Sequence, residues 1–162
     1  MKSKLDPAIP HQDITYRIIG CAMRVHNRLG PGLREKMYQR ALTAEMRSDG
    51  MHVDEEYRVD VYDKDVWIGV TFPDHWVENQ VVVEVEAFPH FLTKAEVAQT
   101  IGFLAATNSQ VGLLINFGRK RLDYQRILLP KEVQDWKKHI TRFLWRPPGE
   151  EPPQRADRAD SG

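Results

Sequence analysis

The sequence predicts an α/β protein built on a mixed central sheet flanked by helices. Three observations lead there. Val81-Val82-Val83-Glu84-Val85-Glu86-Ala87 has five apolar residues in seven, mostly β-branched, as expected of a strand covered on both faces. Val111-Gly112-Leu113-Leu114-Ile115-Asn116-Phe117 is a second run of the same kind. Between them lies a stretch of helical periodicity, and a helix joining two such strands is a βαβ crossover, which makes the strands parallel.

In chain order, residues 1–12 are polar with two prolines and are expected to form a loose arm. Asp13 is a candidate N-cap for a first helix, in which Ile14, Ile18, Cys21, Ala22, Val25 and Leu29 recur at helical spacing up to Gly30-Pro31-Gly32. A second helix follows at once, with Leu33, Met37, Ala41 and Ala44 as its apolar stripe and a stop near Asp49-Gly50. Alternation through Val53, Glu55, Tyr57, Val59 and Val61, a turn at Asp63-Lys64-Asp65, and alternation through Val66, Ile68, Val70 and Phe72 predict a β-meander. His75-Trp76-Val77 reads as a short strand, and Glu78-Asn79-Gln80 as the hairpin turn into the central strand. Thr93-Lys94-Ala95-Glu96 has the form of a capping box and opens a helix to about Thr107, with Val97, Ile101, Leu104 and Ala105 facing inward.

The basic cluster Arg119-Lys120-Arg121 follows the second buried strand, and a short strand is expected near Tyr124 to Leu128. Pro130 is placed to open a last helix over about 130–146, carrying Val133, Trp136, Ile140, Phe143 and Leu144. Residues 147–162 are rich in Pro, Glu, Asp and Arg without apolar anchors, the composition of a disordered tail. The expected organisation is therefore one domain over 13–146 between an arm and a tail.

A length of 162 residues suits one domain with a real core. With 23 basic and 23 acidic residues the net charge is zero, so any attraction for a polyanion must come from a local patch. Arg119-Lys120-Arg121 is such a patch, with a solvated turn as the competing reading. Cys21 is the single cysteine and cannot form an internal disulfide, which fits a core residue in a reducing, cytoplasmic setting. The N-terminus lacks an apolar leader and no run approaches 18 apolar residues, so neither export nor a membrane span is expected. His26 and His90 read as a helix-packing and a loop histidine, neither with a neighbour suggesting zinc.

The acidic residues of the central strand call for a physical explanation. Strand side chains alternate, so Glu84 and Glu86 share one face, about 7 Å apart. Two buried carboxylates side by side are unfavourable unless a cation or a proton neutralises them. Asp74 lies one hairpin upstream, and that hairpin can bring it opposite Glu84. On the second helix Gly32, Glu35 and Tyr38 lie three apart, which places Glu35 and Tyr38 on one flank. The competing role for Glu35 is a solvated first-turn acid favoured by the helix dipole.

Taken together, Ile14-Thr15-Tyr16-Arg17-Ile18-Ile19-Gly20, Val25-His26-Asn27, Leu29 through Tyr38, the Asp74 and Glu84 strands, Ala98-Gln99 and Gly112 through Gly118 resemble the bacterial GxxExxY proteins of the PD-(D/E)XK nuclease-like superfamily. The resemblance covers about residues 13–128 in consistent order. It implies a restriction-endonuclease-like αβββαβ core, to which this chain adds a C-terminal helix. It also implies divalent-metal-dependent cleavage of nucleic acid phosphodiesters, DNA more readily than RNA. Glu35, Asp74 and Glu84 match the superfamily's catalytic carboxylates and would hold Mg²⁺ or Mn²⁺, and Gln99 matches a glutamine near the site.

Two positions depart from the pattern. Glu86 stands where the superfamily has lysine, and Glu96 where GxxExxY proteins commonly have histidine. Some restriction endonucleases of the superfamily also have glutamate at the lysine position. Lys94 is the nearest lysine in sequence, yet it lies about 140° round its helix from Gln99. The alternative is a catalytically inactive nuclease fold serving as a protein-binding or assembly module. A homodimer or protein partner would then be engaged by the last helix through Trp136, Phe143 and Trp145.

Overall fold

A computed structural model describes residues 10–129 of the chain. The expected helix over 130–146 with Trp136, Phe143 and Trp145, the tail over 147–162 and most of the arm lie outside the described residues. Helix α1, Gln12–Leu29, buries Ile18, Ile19, Cys21, Ala22 and Val25 together with Thr15 and His26. Asp13 is not its cap. His11 precedes the helix in a left-handed conformation, and Asp13 falls inside the first turn, where a carboxylate favours the helix dipole. Leu29, expected inside, is exposed at the last turn. The chain leaves α1 through Gly30, whose left-handed φ of 63° lets its N–H reach His26 O at 2.8 Å.

Helix α2, Glu35–Ser48, buries Tyr38, Gln39, Leu42, Thr43 and Met46. The expected stripe of Leu33, Met37, Ala41 and Ala44 is therefore rotated: Leu33, Met37 and Ala44 are exposed and Ala41 only partly buried. Hydrogen bonding overrides hydrophobicity here. Thr43 Oγ1 lies 2.8 Å from His75 Nε2, and Gln39 Nε2 donates to Glu55 Oε1 at 3.0 Å, so two polar side chains are satisfied inside.

The expected meander is divided. Strand β1, Val53–Glu55, stops at Glu56, which has φ 53° and donates its N–H to Asp74 O at 2.9 Å. β2, Val59–Asp63, and β3, Val66–Thr71, then form a separate two-stranded hairpin. β4, His75–Val77, returns to pair antiparallel with β1 and with β5, Val81–Glu86. Helix α3, Lys94–Thr107, opens on the complete capping box of Thr93 and Glu96. It leads to β6, Val111–Asn116, which is parallel to β5 as the crossover requires, and β7, Asp123–Leu128, adds an antiparallel edge.

The main sheet thus runs β1-β4-β5-β6-β7 and is mostly antiparallel. Omitting the inserted hairpin, the order of elements is that of a restriction-endonuclease-like fold. Helices α1 and α2 pack on one face against Val81, Val83, Val85, Leu113 and Ile115. Helix α3 covers the other face against Trp76, Val82, Leu114 and Ile127.

The exits of β5 and β6 are tied together. Asn116 Oδ1 accepts the N–H groups of Phe88 and Gly118, while its Nδ2 donates to Phe88 O and His90 O. A Cβ at Gly118 would lie 2.3 Å from Phe88 O, so only glycine permits this approach.

Candidate acidic site at the end of strands four and five

The ladder between β4 and β5 ends at the pair His75 and Val83. Pro73 has no N–H to continue it, and the next two residues face each other as Asp74 and Glu84. Side chains take over the backbone bonds at that point. Asp74 donates its backbone N–H to Glu84 Oε1 at 2.9 Å, and Val85 donates its N–H to Asp74 Oδ2 at 2.7 Å. One oxygen of each carboxylate is fixed in this way, which leaves the second oxygen of each outside these two bonds.

Glu84 is buried, Asp74 and Glu86 are partly buried, and Glu35 is exposed at the start of α2. The four acids lie within one another's fields. Burial, reinforced by the Asp74, Glu86 and Glu35 charges, pushes the Glu84 carboxyl up to about 9. Burial and the pairing with Glu35, which favours a protonated, donating partner, raise Glu86 to about 8, with Asp74 and Glu96 adding repulsion. Asp74 rises to about 6, again chiefly by burial, although the Val85 N–H and the Lys36 charge act the other way.

The structure therefore brings Glu35, Asp74, Glu84 and Glu86 together from α2, the start of β4 and β5. Gln99 is exposed on α3 with no hydrogen bond joining it to the acids. The α3 side chain whose charge reaches Glu86 is Glu96, one turn earlier on the same flank, and it is also the cap partner of Thr93. Lys94 is exposed at the first position of α3.

Lys36 was not singled out from the sequence. It follows Glu35 on α2, forms an ion pair with Glu56, and is the cation whose field lowers Asp74. Its only sequence signal was adjacency to Glu35, because the pairing depends on Glu56 breaking β1 from β2. His75 was likewise read only as a strand residue. It is fully buried beside Asp74, its Nε2 bonded to Thr43 and Gln39 and its Nδ1 without a hydrogen-bond partner among the described residues, and burial pulls its imidazole down to about 4. Tyr38 has a structural role: its hydroxyl donates to Gly30 O and accepts from Leu33 N–H, and its ring stacks on Phe117 at 4.9 Å.

Arg119, Lys120 and Arg121 lie beyond β6. Arg119 is committed on both sides, its guanidinium over the Phe91 ring and its carbonyl against His26 Nε2 at 2.8 Å.

An excess of hard carboxylate oxygens on a partly buried rim fits the chemistry of Mg²⁺ or Mn²⁺. Among the described residues, no three His, Cys, Asp or Glu side chains close on one point as a finished ligand set.

A sheet with this order of elements, carrying an acid cluster where its short strand frays, defines a nuclease-like α/β protein. Residues 12–127 match the PD-(D/E)XK nuclease superfamily, and the chain belongs to that superfamily. Its members generally use divalent metals. No curated protein and no solved structure matches the chain. Among the described residues no helix is long and apolar enough to cross a membrane.

Proposed function

We propose that this chain is a divalent-metal-dependent nuclease acting on nucleic acid phosphodiesters, DNA in preference to RNA, through a variant Glu-x-Glu site. The observation that carries the proposal is the convergence of Glu35, Asp74, Glu84 and Glu86, with burial and mutual repulsion raising three of them. Such a cluster costs stability unless protons or a cation neutralise it. Asp74 and Glu84 would hold Mg²⁺ or Mn²⁺, with Glu35 completing the set from the solvent side. When bound, the ion lowers the pKa of a water and stabilises charge on the scissile phosphate.

The chain's own contribution is orientation. The Asp74 carboxylate is held by the Val85 N–H of β5 and the Glu84 carboxylate by the Asp74 N–H just before β4, so little rotamer freedom remains to be lost. Glu86 cannot supply the positive charge of lysine, whereas its protonated form can donate one hydrogen bond. The likeness to GxxExxY proteins, carried here by Gly32, Glu35 and Tyr38, agrees with this reading.

The second reading, an inactive fold used as a binding module, is favoured by the absence of a ready-made ligand set among the described residues and by Glu86 itself. Calorimetric titration of Mn²⁺ into wild type and Glu84→Ala, followed by cleavage assays on single-stranded, duplex and branched DNA and on RNA, separates the two. The nuclease reading expects metal binding and metal-dependent cleavage, both lost in Glu84→Ala. Neither binding nor cleavage would retire it, and binding without cleavage would leave the module.

A further inference from the structure

The inserted hairpin and the residue that follows it hold five of the large apolar residues exposed among the described residues. Val66 is 65% exposed, Trp67 54%, Ile68 59%, Val70 38% and Phe72 48%. The register sets Trp67 and Val70 on one face and Val66 on the other. Trp67, Ile68, Val70 and Phe72 together offer roughly 400 Å² of accessible surface, given whole-residue areas on the order of 150–250 Å². That lies within the range of the largest patch on a soluble monomer, which is often functional, and approaches the apolar share of a standard interface, which buries about 800 Å² per partner and is about 60% apolar.

From the described geometry and the charge pattern we infer that this hairpin is a self-association surface, and that its occupant is the same hairpin of a second copy of this chain. β2 lies on the side of α3, which leaves β3 outermost among the described residues. Val66 through Phe72 carry no charge, so two copies meeting about a two-fold axis bring no like charges together on this strand. An edge strand of a monomer is ordinarily protected by lysine, proline, inward charge or a bulge, and β3 has only the bulge.

The register between β2 and β3 shifts at Val61 and Tyr62, passing from Val61 opposite Gly69 to Tyr62 opposite Trp67. Ile68 therefore has no residue opposite it on β2 and bulges beside Trp67. The bulge makes β3 a side-chain surface rather than a straight edge, so the contact is hairpin face on hairpin face.

Trp67 is held by a hydrogen bond from its Nε1 to Asp60 Oδ1 at 3.1 Å, which satisfies its polar end and leaves the ring as a fixed projection on the face it shares with Tyr62 and Val70. This inference stands apart from the chemistry of the acids.

Sedimentation equilibrium of the full chain tests it, with far-ultraviolet circular dichroism and melting temperature recorded for each variant. The expected result is a wild-type dimer whose dissociation constant rises about 30-fold or more in Trp67→Ala, the scale of a central aromatic anchor. Ile68→Lys should be monomeric with an unchanged spectrum and, at a concentration where the wild type is also monomeric, an unchanged melting temperature. If Ile68→Lys does not fold, Trp67→Ala carries the test. A monomeric wild type at all concentrations overturns the proposal. So does a dimer that Trp67→Ala and Ile68→Lys leave intact. A melting temperature that falls in Ile68→Lys even where the wild type is monomeric would show the chain's own residues covering the patch, and would overturn it as well.

Discussion

Odd and even residues of β5 belong to one strand and meet opposite surroundings. Val81, Val83 and Val85 face α1 and α2 in a buried layer whose cluster holds no carboxylate. Val82, Glu84 and Glu86 face the α3 side, where only Val82 finds apolar cover and the two glutamates lie among other acids. The backbone is shared, so the difference is in what each face is asked to do. One face supplies stability, and the other carries a charge problem that the fold tolerates through backbone donors and protonation.

The hardest test of that division is to place the same residue on the wrong face. Val83→Glu introduces a carboxyl where no donor awaits it and overfills a packed layer. It should cost about 4 kcal/mol or more and leave little folded protein in urea titrations. Glu84→Gln, one residue away, should fold normally. Comparable losses in both variants would mean that the faces do not differ as described.

Next in size is the pH dependence of stability. The folded Glu84 carboxyl holds its proton up to about 9, against an ordinary 4.5, so unfolding releases a proton throughout that window. Stability is then full below about pH 4.5 as far as this group is concerned, and falls as pH rises toward 9, by at most about 1.4 kcal/mol per unit. Urea midpoints at pH 5, 6, 7 and 8, chosen on that expectation, should decline for wild type and flatten in Glu84→Gln. If Mn²⁺ engages the cluster, saturating metal should stabilise the protein more at the top of this range than at the bottom. A midpoint that rises with pH would contradict the burial argument.

A smaller effect is expected at the end of β5, where Glu86 leaves the sheet. Asn116 holds Phe88, His90 and Gly118 through four hydrogen bonds, so Asn116→Ala leaves several partly buried groups without these partners and should cost about 2 kcal/mol. Asn116→Asp retains the two acceptor bonds and loses the two donors. Its loss should be intermediate, and equal losses would mean that the clamp is not what fixes this exit.

How much of this was legible follows from which signals are local. β5, β6 and α3 could be read directly, because continuous β-branched runs and the Thr93–Glu96 capping box each specify their element within a few residues. The face of α2 could not. Gln39 and Thr43 are polar by type and buried through partners on β1 and β4, which a hydrophobic stripe does not register. The alternation from Val53 to Val61 runs on through Glu56, so nothing in it marked the turn that detaches the β2–β3 hairpin. Asp74 and Glu84 were placed opposite each other by the single hairpin between them. Lys36 and Glu96 were harder, since their reach toward the acids depends on where α2 and α3 settle on the sheet.

The finest distinction between the faces is drawn at Glu86, on the rim. Glu86→Lys replaces a raised carboxyl with an ammonium next to Glu35 and within the field of Asp74. The position is partly solvated, so the gain in stability at neutral pH should be about 1 kcal/mol or less, the smallest shift in this set. Its effect on chemistry should be larger than its effect on folding. If the site cleaves phosphodiesters and Glu86 is only a weak donor there, the introduced charge should raise metal-dependent cleavage roughly tenfold or more, as a donor placed against developing negative charge does. Initial rates at fixed Mn²⁺ would decide it. A fall in rate with unchanged Mn²⁺ affinity would instead make Glu86 a working part of the site, and the Glu-x-Glu sequence a different solution rather than a weakened one.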